Sequence, residues 1–251
     1  MQSKWLSLFP IMAVLVLLTI SGPVLAANMD SKIESSAEES HVFTNNLKDD
    51  DIKVRSNAGV VTLTGNVSQE SHKTLAGETV ANLPKVKSVD NQLEVKGEQP
   101  EAMSDAWLLT KVKTTLLYHR SVSVGTEVAV KNGIVTLNGV ADNQAQKELT
   151  TEYAKDIDGV KDVNNEMTVS MSGEESQPIG AKFDDASTTA LVKITLLSHR
   201  STSALKTAVT TTDGVVVLTG KASNTAEKNL ATKLAGDVSG VQSVQNDMTV
   251  M

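Results

Sequence analysis

GVVTLTG, from Gly59 to Gly65, returns as GIVTLNG from Gly133 to Gly139 and as GVVVLTG from Gly214 to Gly220. The three copies stand 74 and 81 residues apart. After each comes a polar stretch with helical spacing. After that comes a valine-rich ending: Val86 to Val95, Val160 to Val169 and Val241 to Val250. Repetition at a near-fixed period sets the architecture as an array of small units before any single residue is weighed.

Repeat two is the clearest. Asp105 precedes AWLLTKVKTTLLYHR, in which Leu109, Val112, Leu116 and Leu117 recur at helical spacing. Asp105 stands where an N-cap belongs. Val128 and Val130 then alternate with polar residues, Asn132-Gly133 marks a tight turn, and Ile134, Val135 and Leu137 form a second strand. Asp213-Gly214 and Ala58-Gly59 hold the same turn position in the other repeats. Beyond Gly139 the period lengthens: Ala145, Leu149, Tyr153 and Ile157 put one apolar face on a second helix. Ala226, Leu230, Leu234 and Val238 match them in repeat three, and Ser71, Leu75, Thr79 and Leu83 in repeat one. Gly159 and Gly240 end these helices; repeat one has Pro84-Lys85 there instead.

The predicted fold class is therefore α+β, with three tandem αββαβ units, each packing two helices on a three-stranded mixed sheet. Its domain map is 1–26 signal peptide, 30–97 domain one, 103–170 domain two, 171–183 linker and 184–251 domain three. The first helix of repeat one, around Ile33 to Leu47, is polar, with Val42, Phe43 and Leu47 its packing set. A shorter and less securely docked helix is expected there. The strand is expected to leave the sheet at Gly139 and turn into the helix. The Pro-, Gly-, Ser- and Glu-containing stretches 97–104 and 172–182 predict accessible linkers between three separate folding units.

The N-terminus has the form of an export signal. Lys4 supplies the positive charge, Ile11 to Ile20 the apolar run, and Val24-Leu25-Ala26 the small residues before a cut after Ala26. No cysteine is present, which excludes disulfides and a lipidated cysteine. These features predict a periplasmic chain without a membrane span after cleavage. The formal charge of −7 excludes a general nucleic-acid binder, which needs a basic face. Residues 174–251 hold 7 basic and 8 acidic groups, against 8 and 12 in 28–99 and 7 and 10 in 100–173. Repeat three is the least acidic.

These phrases resemble the BON domain. The resemblance rests on the three Gly-[Val/Ile]-Val-x-Leu-x-Gly runs together with GVKDVNN at 159–165, GVQSVQN at 240–246 and the variant KVKSVDN at 85–91. It extends over almost the whole chain after the signal. The plan is similar to osmotically inducible periplasmic proteins with tandem BON domains, here with a third copy. The resemblance implies an envelope location and a non-catalytic role in phospholipid binding, membrane integrity and osmotic or general stress protection. The alternative it implies is a periplasmic chaperone for unfolded clients.

Among candidate sites, Gly59, Gly65, Gly133, Gly139, Gly214 and Gly220 lack the spacing of a phosphate loop and are assigned as structural turn glycines. Asp49-Asp50-Asp51 lacks the alternation of a calcium loop. His41 and His72 are expected as isolated surface residues, and no metal, cofactor or catalytic constellation is predicted. His119-Arg120 and His199-Arg200 recur at the end of the first helix in repeats two and three but not in repeat one. Two readings stand: cations suited to the negative end of their helix, or an anionic headgroup site. For the second reading, His199, Arg200, Lys206 and Lys221 are the candidate anionic-lipid contacts, because they lie in the least acidic repeat. The expected partners are a phospholipid surface or envelope proteins.

Overall fold

The computed structural model describes residues 22–97, 100–170, 183–202 and 207–251, with side chains from residue 28 onward. Repeat one comprises α1 (Gly22–Glu39), a π-helical turn (Val42–Asn46), β1 (Asp51–Asn57), β2 (Val60–Val67), α2 (Glu70–Ala81), β3 (Ser88–Asn91) and β4 (Glu94–Val95). Repeat two comprises α3 (Asp105–Leu117), β5 (Glu127–Lys131), β6 (Ile134–Asn138), β7 (Val140–Ala141), α4 (Gln144–Lys155), β8 (Asp162–Asn165) and β9 (Thr168–Val169). Repeat three comprises α5 (Asp185–Ser198), β10 (Thr207–Thr212), β11 (Val215–Ala222), α6 (Thr225–Gly236), β12 (Ser243–Asn246) and β13 (Thr249–Val250). The mixed α+β architecture is as the sequence predicts. In each unit the glycine-phrase strand is central, antiparallel to the strand before it and parallel to the one after its helix.

The hairpin turns need both central residues at positive φ, the type I′ arrangement that follows strand twist. Asn132 and Gly133 take φ of 56° and 80°, and Ala58 and Gly59 take 51° and 82°. Asp105 does not cap its helix. Ser104 does, accepting from Trp107 N–H at 3.2 Å. Asp105 instead accepts from the N–H groups of Asn132 and Gly133 at 2.6 and 2.8 Å, clamping the hairpin to the helix start. Those two bonds hold its carboxyl below the ordinary range, with burial opposing them and Lys161 assisting. Asp30 and Asp185 make the same clamp in repeats one and three.

The chain does not leave the sheet at the second glycine of the phrase. β2 and β11 run through Gly65 and Gly220, at φ of 116° and 126°, and pair onward with β4 and β13. In repeat two Gly139 divides β6 from β7, which still pairs with β9. The glycine is required because a Cβ at Gly139 would sit 2.6 Å from the Gly125 carbonyl oxygen, at a φ of 121°.

The first helical segment of repeat one is not shorter. Counted from Ala27, past the expected cut, α1 runs to Glu39 and so matches the 13 residues of α3, with Ile33 and Ala37 buried beside Val42 and Leu47. Among the described residues the buried apolar side chains form two hydrophobic clusters. Repeat two has its own, centred on Leu108, Val112, Val135, Leu137 and Ile157. Repeats one and three build the other, which joins Leu63, Leu75 and Val80 to Ala190, Leu196 and Leu218 and takes in Tyr118 from repeat two. Helix α5 lies between them, against α2, with Lys193 Nζ 2.9 Å from Glu78 Oε2. The expected linker 171–183 falls outside the described residues but for Phe183, as does the signal segment up to residue 21.

Candidate functional site

Helices α3 and α5 end at Leu117 and Ser198, and the residues that follow meet each other. His119 and His199 come together with their Nε2 atoms 3.0 Å apart. Each ring turns its Nδ1 to a carboxylate in the opposite repeat. His119 Nδ1 lies 3.1 Å from Asp237 Oδ2, and His199 Nδ1 lies 3.2 Å from Asp156 Oδ2. Asp156 and Asp237 are the C-cap residues of α4 and α6. Their backbone carbonyls accept from the N–H groups of Arg200 and Arg120, both at 2.9 Å. Ser121 and Ser201 hydroxyls donate to the same two carboxylates. The contact is isologous in form, as in a two-fold dimer, though both halves belong to one chain.

The His-Arg pairs thus serve a helix C-terminus, but not their own. Arg200 Nη2 donates to the Lys155 carbonyl oxygen at the end of α4, at 2.6 Å, and Arg120 Nη1 to the Val241 carbonyl oxygen at 3.3 Å. Cations there meet the negative end of the neighbouring repeat's helix. The reading of these cations as suited to the end of their own helix is thereby corrected: their arginines meet the backbone of the opposite repeat.

Both histidine side chains are fully enclosed, while the arginine side chains stay about half exposed, 52% for Arg120 and 51% for Arg200. Burial above all holds the His119 imidazole below its ordinary value, with the His199 charge adding and Asp237 opposing. Burial pushes the Asp156 carboxyl up, but His199, Ser201 and Arg200 together outweigh it and hold it below the ordinary range. Tyr153 stacks on His119 with ring centroids 3.9 Å apart, and burial, with Asp237 nearby, drives its phenol well above the ordinary value. Repeat three has Leu234 at that position, so the pair is not symmetric in composition.

The three described candidate lipid contacts stand in different surroundings. His199 is buried in this contact at 1% exposure. Arg200 lies at its rim, with Nε 3.7 Å from Asp156 Oδ1. Lys206 falls outside the described residues, and Lys221 is exposed on β11. The other histidines are less isolated than expected. His72 Nδ1 lies 2.5 Å from Asp50 Oδ2, which binds the start of β1 to α2. His41 sits with its ring against Phe183, centroids 3.8 Å apart. Among the described residues no group of three His, Cys, Asp or Glu side chains is placed to hold a metal ion.

Beside the histidine contact lies an open cleft of about 1260 Å³ formed mainly by repeat two, with His41 and Asn45 of repeat one and Phe183 and Leu191 of repeat three also lining it. Leu117, Val124 and Leu149 stand on its wall at 67%, 85% and 40% exposure. Lys113 and Arg120 bring cations to the same wall. Among the described residues no helix is long and apolar enough to cross a membrane.

The BON domain model matches three segments, 29–97, 104–171 and 184–251. The chain belongs to the BON domain family. It is 34% identical to Osmotically-inducible protein Y of Escherichia coli strain K12 over 148 residues, 58% of this chain and 72% of that one. An uncharacterized protein in the gshII 5′ region of Anaplasma centrale is 28% identical over 142 residues, 57% of this chain and 91% of that protein. Among solved structures, CdsD, a structural protein of the type III secretion system of Chlamydia trachomatis, overlaps 88% of this chain and 91% of its own at 17% identity. Its TM-score of 0.24 gives that likeness no weight.

What sequence reasoning missed was the partner of each His-Arg pair. A signal was present. Repeats two and three have both His-Arg-Ser and the helix-end aspartate, whereas repeat one has Asn82 at the aspartate position and no His-Arg. Residues gained and lost together across repeats of one chain mark a contact between repeats.

Proposed function

We propose that this chain is an exported, non-catalytic envelope protein that binds phospholipid surfaces or membrane-associated partners under osmotic stress. The observation that carries this reading is the 34% identity to Osmotically-inducible protein Y, in a chain with three BON domains. The signal-like start supports export to the periplasm with cleavage after Ala26. The cleft supports an amphipathic ligand, because apolar Leu117, Val124 and Leu149 share its wall with Lys113 and Arg120. Of the cationic positions singled out in repeat three, Arg200 and Lys221 remain at the described surface and are the proposed outer contacts for an anionic headgroup. With a formal charge of −7 the attraction is local and weak, and it falls with salt. Flotation of the full chain with vesicles containing anionic phospholipid, at low and high salt, tests it. Binding that weakens in Arg200→Glu, Lys221→Glu supports the reading. Absence of binding at low salt overturns it.

The three exposed apolar side chains of the cleft also favour a second reading, a chaperone that holds unfolded clients. Suppression of client aggregation that is lost in Leu117→Glu, Val124→Glu, without vesicle binding, would select it.

A further inference from the structure

We infer that His119 and His199 form a proton-sharing clasp that docks repeat two on repeat three and releases on acidification. The chain of groups Asp237–His119–His199–Asp156 contains three polar gaps, of 3.1, 3.0 and 3.2 Å. Each gap is a hydrogen bond only when it holds one proton. An ionised carboxylate only accepts, so both Nδ1 atoms carry hydrogen and donate to their aspartates. The gap between the two Nε2 atoms then holds one further proton, donated by one ring and accepted by the other. Three protons fill three gaps. A fourth places two N–H groups head to head at 3.0 Å, on two cationic rings in a buried site. Loss of the third leaves two lone pairs facing across the same gap. Docking is therefore tightest at an intermediate proton count and weakens on either side.

The surroundings decide which side matters near neutrality. The charged and titratable groups facing the pair are Asp237 and Arg120 against His119, Asp156 and Arg200 against His199, and Tyr153 stacked on the first ring. Burial holds His119 below its ordinary value. A group whose folded value is depressed takes up its proton more readily in the undocked state. The fourth proton is therefore taken up more readily in the undocked state, and docking weakens as pH falls below the ordinary histidine value of about 6.5. Asp156, also depressed, loses its contribution only as pH falls below the ordinary carboxylate value of about 3.9. Tyr153, raised by burial, stays neutral throughout. Release as pH falls below about 6.5 therefore belongs to proton uptake at His119.

Release would alter the cleft, because His119, Arg120 and Ser121 form part of its wall. The apolar side chains Leu117 and Val124 lie two positions before and three positions after those residues in the chain. Proton uptake at the clasp is thereby coupled to the shape of the apolar surface. Repeat one has no histidine at this place; it docks on repeat three through the shared core and the Lys193–Glu78 pair, and is outside the clasp.

The cysteine-free sequence makes the test direct. Spin labels at Ala129→Cys and Ala208→Cys, on exposed faces of β5 and β10, report the distance between repeats two and three in the full chain. A narrow distribution at pH 7.5 is expected to give way to a broad one by pH 5, the open fraction rising up to tenfold per pH unit for each proton taken up. In His119→Gln, His199→Gln, whichever distribution exists at pH 7.5 should persist to pH 5. Imidazole nitrogen shifts of the unaltered protein give a second readout, with hydrogen on both Nδ1 atoms at pH 7.5. An unchanged distance down to pH 5, or the same opening in the double variant, overturns the clasp.

Discussion

Helices α3 and α5 occupy the same place in their repeats and begin with the same Asp-Ala pair, yet they live in different surroundings. In α3, Trp107, Leu108 and Leu109 follow, and one face meets water with Lys111 over the Trp107 ring at 4.7 Å. In α5 the corresponding residues are Ser187, Thr188 and Thr189, all buried. The run from Ala186 to Leu196 is buried at every position but Lys193. Small side chains let a second repeat approach where α3 faces solvent. The difference teaches that one αββαβ plan can build a self-contained unit or the centre of a shared core, depending on side-chain size along a single helix.

The largest effect should come from filling that space. Ala190→Leu adds volume at a position with 0% exposure, between repeats one and three. Overpacking costs ~1–3 kcal/mol. Thr110→Leu, the matching change on α3, should cost far less, because Thr110 is only partly buried. Denaturant unfolding of both variants checks the contrast. Equal losses would break it.

Gly139→Val should disrupt repeat two while leaving α5 protected. A β-branched residue at φ 121°, 2.6 Å from a carbonyl oxygen, costs more than ~1 kcal/mol. Amide exchange resolved by repeat measures this, and loss of protection in α5 to the same extent would contradict the separate core of repeat two.

Asp105→Asn should flatten the acid side of the stability curve. The carboxyl is depressed by the Asn132 and Gly133 N–H groups. Its contribution is present above the ordinary carboxylate value of about 3.9 and is lost as pH falls through the folded value. Melting temperature against pH, with and without the change, should converge at low pH. Parallel curves would remove the clamp from the account.

The smallest effects lie at the two lysines. Lys111→Met loses a cation–ring contact worth about 0.5–1 kcal/mol at exposed sites. Lys193→Met loses the pair with Glu78, both side chains about one-third exposed, which is worth ~0–1 kcal/mol. Thermal melts should move slightly for both.

The fold was legible in the glycine phrases because each glycine answers a local backbone demand. Asn132-Gly133 states its own turn, and the four-residue spacing from Ala145 to Ile157 states its own helix. The Asp105 clamp was hidden because its partners lie 27 and 28 residues away, while a cap was close at hand in Ser104. His199 was placed with surface cations because helical position alone does not show what stands opposite. Its partner Asp156 belongs to another repeat, 43 residues earlier. Contacts between repeats are non-local, and periodicity carries them only where two repeats change together.

The central claim is that repeats one and three unfold as one unit while repeat two keeps its own core. Native-state amide exchange on the full chain carrying Leu75→Ala tests it most directly. Leu75 is fully buried in α2, and the change costs ~2–5 kcal/mol. The account predicts that α5, β10 and β11 lose protection in step with α2 and β2, while β5, β6 and β8 retain theirs. Faster exchange confined to repeat one, or spread equally over all three repeats, would contradict it.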